Sequence, residues 1–462
     1  MLSTFLHSSQ WLSLHGLVIA IGLLAYVLTT HSLRQRRSPA AAISWVLTIA
    51  LVPYLGLPLY LLFGTRKIAH PASRMRRATT GSELESDDAW PRQLAAAMGQ
   101  PSVGAYRNLR IDADGKQALQ SLWESIDSAE RELVICTFII GRDAVGKALL
   151  SRLVGKALGG VRIRLLLDGA GRVMGGGVNL RKLKAAGAQV ALHGPILHLP
   201  FKSRINLRNH RKMVVADGVR LWCGGRNFAA EYFEGAHGRE PWRDLSFDLE
   251  GPLAAQAREL FEHDWAFATG ASKVKSVQPV QEAPEPFAQV IASGPDQADD
   301  TVHDLLVTAC FKARSRIAAV TPYFVPGDAL LMALSLAARR GVAVDLILPK
   351  RSNHHMADFS RHRALRELAA AGGRVWLVPY MLHAKAVVID DDMALSGSSN
   401  LDSRSLFLNY ELMVAFYAVA DVRRFAGFIE QHRGMAGRCV GRESGLLREL
   451  SEGLVLWLAF LL

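Results

Sequence analysis

Two short strings carry the residues that could do chemistry. His210-Arg211-Lys212 reaches Asp217 after four intervening residues, and His383-Ala384-Lys385 reaches Asp390 after four. Each H-x-K-x4-D string is followed by Gly-x-x-Asn, first as Gly224-Gly225-Arg226-Asn227 and then as Gly397-Ser398-Ser399-Asn400. One H-x-K is a common accident of strand sequences. Two extended copies at matching places in the chain are not. Two imidazoles and two ammonium groups brought together make a pocket for a phosphate. Lys212, Lys385 and the amides of Asn227 and Asn400 would hold its non-bridging oxygens. One histidine can attack phosphorus while the other protonates the leaving oxygen. Each imidazole then needs a partner on its second nitrogen. Asp244 and Glu411 are the acidic candidates for that orienting role. The Asp of each motif completes the candidate catalytic set. Its odd spacing from the His and the Asp217-Gly218 pair favour a turn-organising role for it.

The elements that must present these residues repeat. Glu132 to Ile140 and Ser315 to Phe324 are apolar strand patterns, each followed by a helical pattern. Gly160 to Asp168 corresponds to Gly341 to Pro349, and LRKLKAAGAQV from Leu180 corresponds to LRELAAAGGRV from Leu365. Strands alternating with helices indicate an α/β unit. The expectation is two α/β repeats, 93–270 and 287–440, around an internal pseudo-twofold axis. A polar linker (81–88) and a Pro-bearing break (271–286) bound them. The first copy has an insert, 194–209, in which Arg204 and Arg208 beside Leu197 to Phe201 are candidates to meet lipid headgroups and acyl chains.

Ahead of the repeats lie two uncharged runs, Trp11 to Thr30 and Ala40 to Gly64. Each is long enough to cross a hydrocarbon core of ~30 Å as a helix. Residues 1–80 are therefore expected to be a membrane anchor with two membrane helices and a basic flank. Arg34, Arg36 and Arg37 follow the first run, and Arg66, Lys67, Arg74, Arg76 and Arg77 follow the second. Two full crossings would separate these clusters, against the positive-inside rule. Pro53, Gly56 and Pro58 weaken the second run as a straight helix, so a re-entrant or kinked segment would keep both clusters in the cytoplasm. The tail 441–462 is amphipathic or apolar, and its uncharged stretch Gly453 to Leu462 is too short to span.

The net charge of +12 favours an anionic partner, a nucleic acid or an anionic membrane. The four cysteines are scattered with no C-x-x-C pair, which points to buried thiols and away from a disulfide framework or zinc site. No metal-ligand cluster is indicated, and Gly175-Gly176-Gly177 is no nucleotide fingerprint.

The paired strings resemble the HKD motifs of the phospholipase D superfamily. The wider strings Arg208 to Lys212, Trp242-Arg243-Asp244, Leu382 to Lys385, GSSNLDSRS from Gly397 and LNYEL from Leu408 resemble its bacterial cardiolipin synthases. The resemblance extends to Pro53 to Gly56 and Tyr60 to Gly64 in the anchor, and covers nearly the whole chain. It implies a phosphatidyltransferase that needs no metal or cofactor. Phosphatidylglycerol would give its phosphatidyl group to His210 and release glycerol, and a second phosphatidylglycerol would take the group to form cardiolipin. His383 would serve as acid and base. Phospholipid substrates, a membrane and no nucleic acid follow from the same resemblance; the basic, leucine- and alanine-rich composition suits a bacterial inner membrane, and the larger basic cluster favours a catalytic body facing the cytoplasm. The catalytic groups alone leave open a phospholipase D that hydrolyses, a nuclease, or transfer with another lipid such as phosphatidylethanolamine.

Overall fold

The computed structural model describes residues 2–32, 39–64, 66–68, 89–194, 206–236, 238–271, 286–439, 445 and 452. The linker 81–88, most of the break 271–286, the arginines at 34, 36, 37, 74, 76, 77 and 204, and nearly all of the tail 441–462 lie outside the described residues.

Two mixed sheets carry the body. In the first, spatial order runs Arg107–Asp112, Ser246–Glu250, Arg220–Gly224, Met213–Ala216, Glu132–Thr137, Arg162–Asp168, Gln189–His193. In the second, it runs Phe287–Ser293, Glu411–Phe416, Met393–Gly397, Ala386–Ile389, Arg316–Val320, Ala343–Pro349, Arg374–Val378, with Gly104–Ala105 and Gly437–Arg438 added at the edges. The seven shared positions follow the same order. In both sheets the last three strands are parallel and the strand after the H-x-K string is antiparallel to its neighbours. The parallel connections are helical, as Ala144–Leu158 and Asp328–Arg339 show.

One face of each sheet packs on helices. The inner faces meet in a shared core where Val134, Met213, Val215 and Phe247 join Val290, Val388, Val414 and Phe416. Phe416 stands edge-on to both Phe247 and Tyr106, at 5.3 and 5.6 Å. Such burial is worth about 1.5–3 kcal/mol per large apolar side chain, so the halves are held by a core, not by a thin seam. Ala95 packs in the second sheet's outer cluster and Gly104 pairs with Ala288, so residues before about Tyr106, which the expected bounds 93–270 put at the head of the first repeat, sit with the second sheet.

The N-terminal runs form three helices, Leu2–Ser32, Pro39–Leu51 and Pro53–Phe63. The first run is one helix, and the second is broken in two, as the kinked reading of that run expected. The second run is not one helix, because Pro53 follows a Val52 that leaves the helical conformation, with φ −135° and ψ 61°, and a new helix starts there. Trp45 and Tyr60 would lie about 22 Å apart on a straight helix, yet their rings are 5.2 Å apart. The run is therefore a hairpin. Its close packing needs Gly56, where a Cβ would come within 2.6 Å of the Thr48 carbonyl oxygen. The first helix lies alongside, with His15 at Tyr54 and Tyr26 at Tyr60, 5.6 and 5.4 Å between rings. The hairpin tip thus sits at the level of His15, and both its ends sit near the last turns of the first helix. Among the described residues, no helix is long and apolar enough to cross a membrane.

Candidate active site

His210 and Lys212 lie on the extended lead-in to Met213–Ala216, and His383 and Lys385 on the lead-in to Ala386–Ile389, just before the strands that the spacing predicted would carry them. The lead-ins bind the opposite half. His210 N–H donates to the Tyr410 carbonyl (2.9 Å), and His383 N–H to the Arg243 carbonyl (2.6 Å). Each motif is thereby fixed beside the carboxylate of the other copy. Glu411 Oε1 is 3.0 Å from His210 Nδ1, and Asp244 Oδ2 is 2.7 Å from His383 Nδ1. A carboxylate only accepts, so each Nδ1 carries its proton toward the acid and Nε2 is left as the reactive nitrogen.

The glycines of the Gly-x-x-Asn strings have a mechanical reason. A Cβ on Gly225 would strike the Asp244 carboxylate, and one on Gly397 would strike the Leu412 carbonyl oxygen. Only glycine lets those strands approach closely enough to seat the acids.

The lysines are buried in the pocket. Lys212 Nζ donates to the His210 carbonyl (2.6 Å). Lys385 Nζ lies against the His383 ring, 2.8 and 3.2 Å from its two nitrogens, and donates to the His383 carbonyl. Burial pushes Lys212 down to about 8 and Lys385 down to about 7; Glu411 and Asp244 oppose the shift. Burial also lowers His210, against Glu411, and takes His383 to about 3, helped by Lys385 and opposed by Asp244. Burial would raise Asp244, but His383 and Lys385 outweigh it and hold the acid at about 2. Both shifts favour the neutral imidazole. An anionic phosphate between the lysines would favour protonation of the imidazole beside it.

The amides of Asn227 and Asn400 are partly engaged. Asn227 donates to the Tyr232 hydroxyl (2.7 Å) and Asn400 to Ser405 Oγ (3.2 Å), which leaves each a second N–H.

Asp217 and Asp390 are not in the pocket, which corrects their place in the catalytic set. They close the far ends of the motif strands, about 20 Å along the chain from each His. Asp217 accepts from the backbone N–H groups of Glu130, Arg131 and Glu132, and Asp390 from those of Arg314, Ser315 and Arg316. Both adopt the left-handed conformation, φ 52° and 48°, that Asp tolerates in turns.

Several neighbours escaped sequence reasoning. Tyr232 and Trp242 pack on the His383 ring at 5.1 and 5.5 Å, and Phe138 meets the His210 ring edge-on at 5.2 Å. Ser398 donates to Glu411. Ser398 lies inside a motif string and Trp242 beside Asp244, so proximity in sequence was an available signal for these two; Phe138 had none.

Two like-ordered sheets that each send an H-x-K string into one pocket are the architecture of the phospholipase D superfamily. A family model described as cardiolipin synthase, PLD-like domain matches residues 122–265 and 306–433, and one described as phospholipase D-nuclease N-terminal matches 18–64. Cardiolipin synthase A of Pseudomonas aeruginosa is 31% identical over 433 residues, covering 90% of this chain and 88% of that protein. Its counterpart from Pseudomonas syringae pv. syringae is 32% identical over 408 residues, covering 83% and 84%. The crystal structure of phosphatidylserine synthase from Haemophilus influenzae matches with a TM-score of 0.61 at 13% identity, over 80% of this chain and 98% of that one, a likeness of fold. The chain belongs to the cardiolipin synthase family of phospholipase D-like proteins.

Proposed function

We propose that this protein is a cardiolipin synthase that transfers a phosphatidyl group from one phosphatidylglycerol to another, giving cardiolipin and glycerol. The observation that carries the mechanism is the pair of facing histidines, each held by a carboxylate and flanked by a lysine. His210 has the more open side chain, 14% exposed against 5% for His383. It is therefore the nucleophile. Its Nε2 bonds to phosphorus as the bond from phosphorus to the glycerol oxygen breaks, and His383 gives that oxygen a proton. The second lipid's primary hydroxyl then returns a proton to His383 as its oxygen bonds to phosphorus and the N–P bond breaks. Lys212 and Lys385, with the second N–H groups of Asn227 and Asn400, stabilise the charge on the non-bridging oxygens. Glu411 and Asp244 orient the rings.

The N-terminal helices hold the enzyme at the bacterial inner membrane with its catalytic body toward the cytoplasm. The uncharged run Trp11 to Thr30 supports a crossing by the first helix. The hairpin supports a segment that enters and leaves on one face, so the basic clusters that follow the first helix and the hairpin both stay cytoplasmic. Leu14, Leu17, Ile21, Leu24, Leu51 and Leu55 are all at least half exposed, as a lipid-facing surface requires. The two repeats, one on each sheet, form the catalytic units.

Purified protein in mixed micelles with phosphatidylglycerol alone, beside His210→Ala, tests the reaction by lipid mass analysis. Cardiolipin and glycerol appearing together and vanishing in the variant is the expected result. Phosphatidic acid in their place overturns transfer in favour of hydrolysis.

A further inference from the structure

Beside the catalytic pocket lies a buried arginine, with His193 and the exposed Arg404 near it, that the chemistry above does not use. Arg208, two residues before His210, is 5% exposed. Its Nη1 donates to the Gly194 carbonyl (2.7 Å) and lies 3.5 Å from Asp168 Oδ1. Its Nε and Nη2 are buried with no hydrogen-bond partner among the described residues. Asp168 approaches Nη1 and not these two nitrogens, and it also accepts from the backbone N–H groups of Ala170, Gly171 and Asn209. His193, 1% exposed, likewise has neither ring nitrogen bonded. Arg404 stands within electrostatic reach of Arg208: burial lowers its pKa, Asp402 opposes that, and Arg208 adds to it. Arg404 forks onto Asn206, 2.9 Å to the side-chain oxygen and 2.8 Å to the carbonyl. Asn206 Nδ2 in turn donates to the Phe63 carbonyl at the end of the N-terminal hairpin (3.4 Å).

Buried donors are almost always paired, so the two idle N–H groups of Arg208 call for an acceptor. Arg208 is joined to His210 through Tyr410, which donates to the Arg208 carbonyl and accepts from the His210 N–H, and Asn206 just before it meets the end of the apolar hairpin. The donor lipid brings one phosphate, and the two lysines account for it. The acceptor brings a second phosphate, three carbons from the hydroxyl that reacts. We infer that Arg208, supported by Arg404 and His193, binds the phosphodiester of the acceptor lipid and so positions its hydroxyl over the phosphohistidine. This rests on the transferase reading above.

Two rates separate it from that reading. Exchange of labelled glycerol into phosphatidylglycerol reports the donor half-reaction alone, and cardiolipin formation also needs the acceptor. In the full chain, Arg208→Gln should keep glycerol exchange within about threefold of wild type and lose cardiolipin formation by about tenfold to a hundredfold at sub-saturating lipid. Both rates retained, or both lost in a protein that melts like wild type, overturns the assignment. If Arg208→Gln does not fold, Arg404→Gln is judged by the same pair of rates. A site for free phosphate would show differently: inorganic phosphate would raise the melting temperature of wild type only, while the variant made cardiolipin at the wild-type rate, and that too overturns it. Wild type that exchanges no glycerol and makes no cardiolipin refutes the transferase reading itself.

Discussion

Glu411 lies 3.0 Å from Nδ1 of His210, a residue 201 positions away in the other half of the chain. The reciprocal contact joins His383 to Asp244, 139 positions apart. An acid that sets the tautomer and orientation of a reacting imidazole matters to rate more than to binding. Glu411→Gln should lower the maximal rate of cardiolipin formation by about a hundredfold or more, with little change in the lipid concentration for half-maximal rate. An unchanged maximal rate in initial-velocity assays would remove Glu411 from the mechanism.

The motif aspartates should behave differently. Asp217→Ala removes the acceptor of three backbone N–H groups and should cost about 1–3 kcal/mol of stability. Activity per folded molecule at low temperature should remain. Partners of Asp217 and Asp390 hold both pKa values below 3.8. A depressed carboxylate contributes stability above its unfolded pKa and loses it as pH falls through the folded one. The melting difference between wild type and Asp217→Asn should therefore be full at neutral pH and shrink below about pH 4.

Lys385 is predicted to trade stability for activity. Its folded value of about 7 against 10.5 unfolded means that the native state resists the charge. The cost is full below about pH 7 and fades as pH rises toward 10.5. Lys385→Met should abolish turnover yet raise the melting temperature at pH 7, and the gain should shrink with rising pH. A variant that melts lower at pH 7 contradicts the reading of this buried charge.

The hairpin has its own test. Cysteines at Trp45 and Tyr60, in a background with Cys439 replaced, should be joined within one chain by a short bifunctional crosslinker in native membranes. Adding Gly56→Leu should suppress that product, since the side chain would collide with Thr48. Crosslinking unaffected by the leucine would mean that the two short helices do not pack as described.

Much of this site was legible from residue types. His210, Lys212, His383 and Lys385 are polar groups in otherwise apolar strand strings, and their doubling gave the repeat as well as the pocket. Pro53 in an uncharged run foretold a broken helix, because a proline disrupts a straight helical interior. What spacing could not convey is partnership across the twofold. Asp244 follows the first motif and Glu411 the second, but contact depends on how two sheets face each other, and that is decided by core packing around Phe247, Val414 and Phe416. The orphaned donors of Arg208 were invisible for the same reason, since burial is a property of the assembled halves.

The crossed acids also bear on how such a chain can change. A half taken alone holds a histidine without its acid and an acid without its histidine, so neither copy is a working enzyme in miniature. A substitution near Asp244 is felt at His383, and one near Glu411 at His210. The copies must therefore be selected jointly. Yet because the two rings answer to different carboxylates, one Asp and one Glu, each can be retuned separately, and a once-symmetric pair can divide the labour of attack and proton transfer.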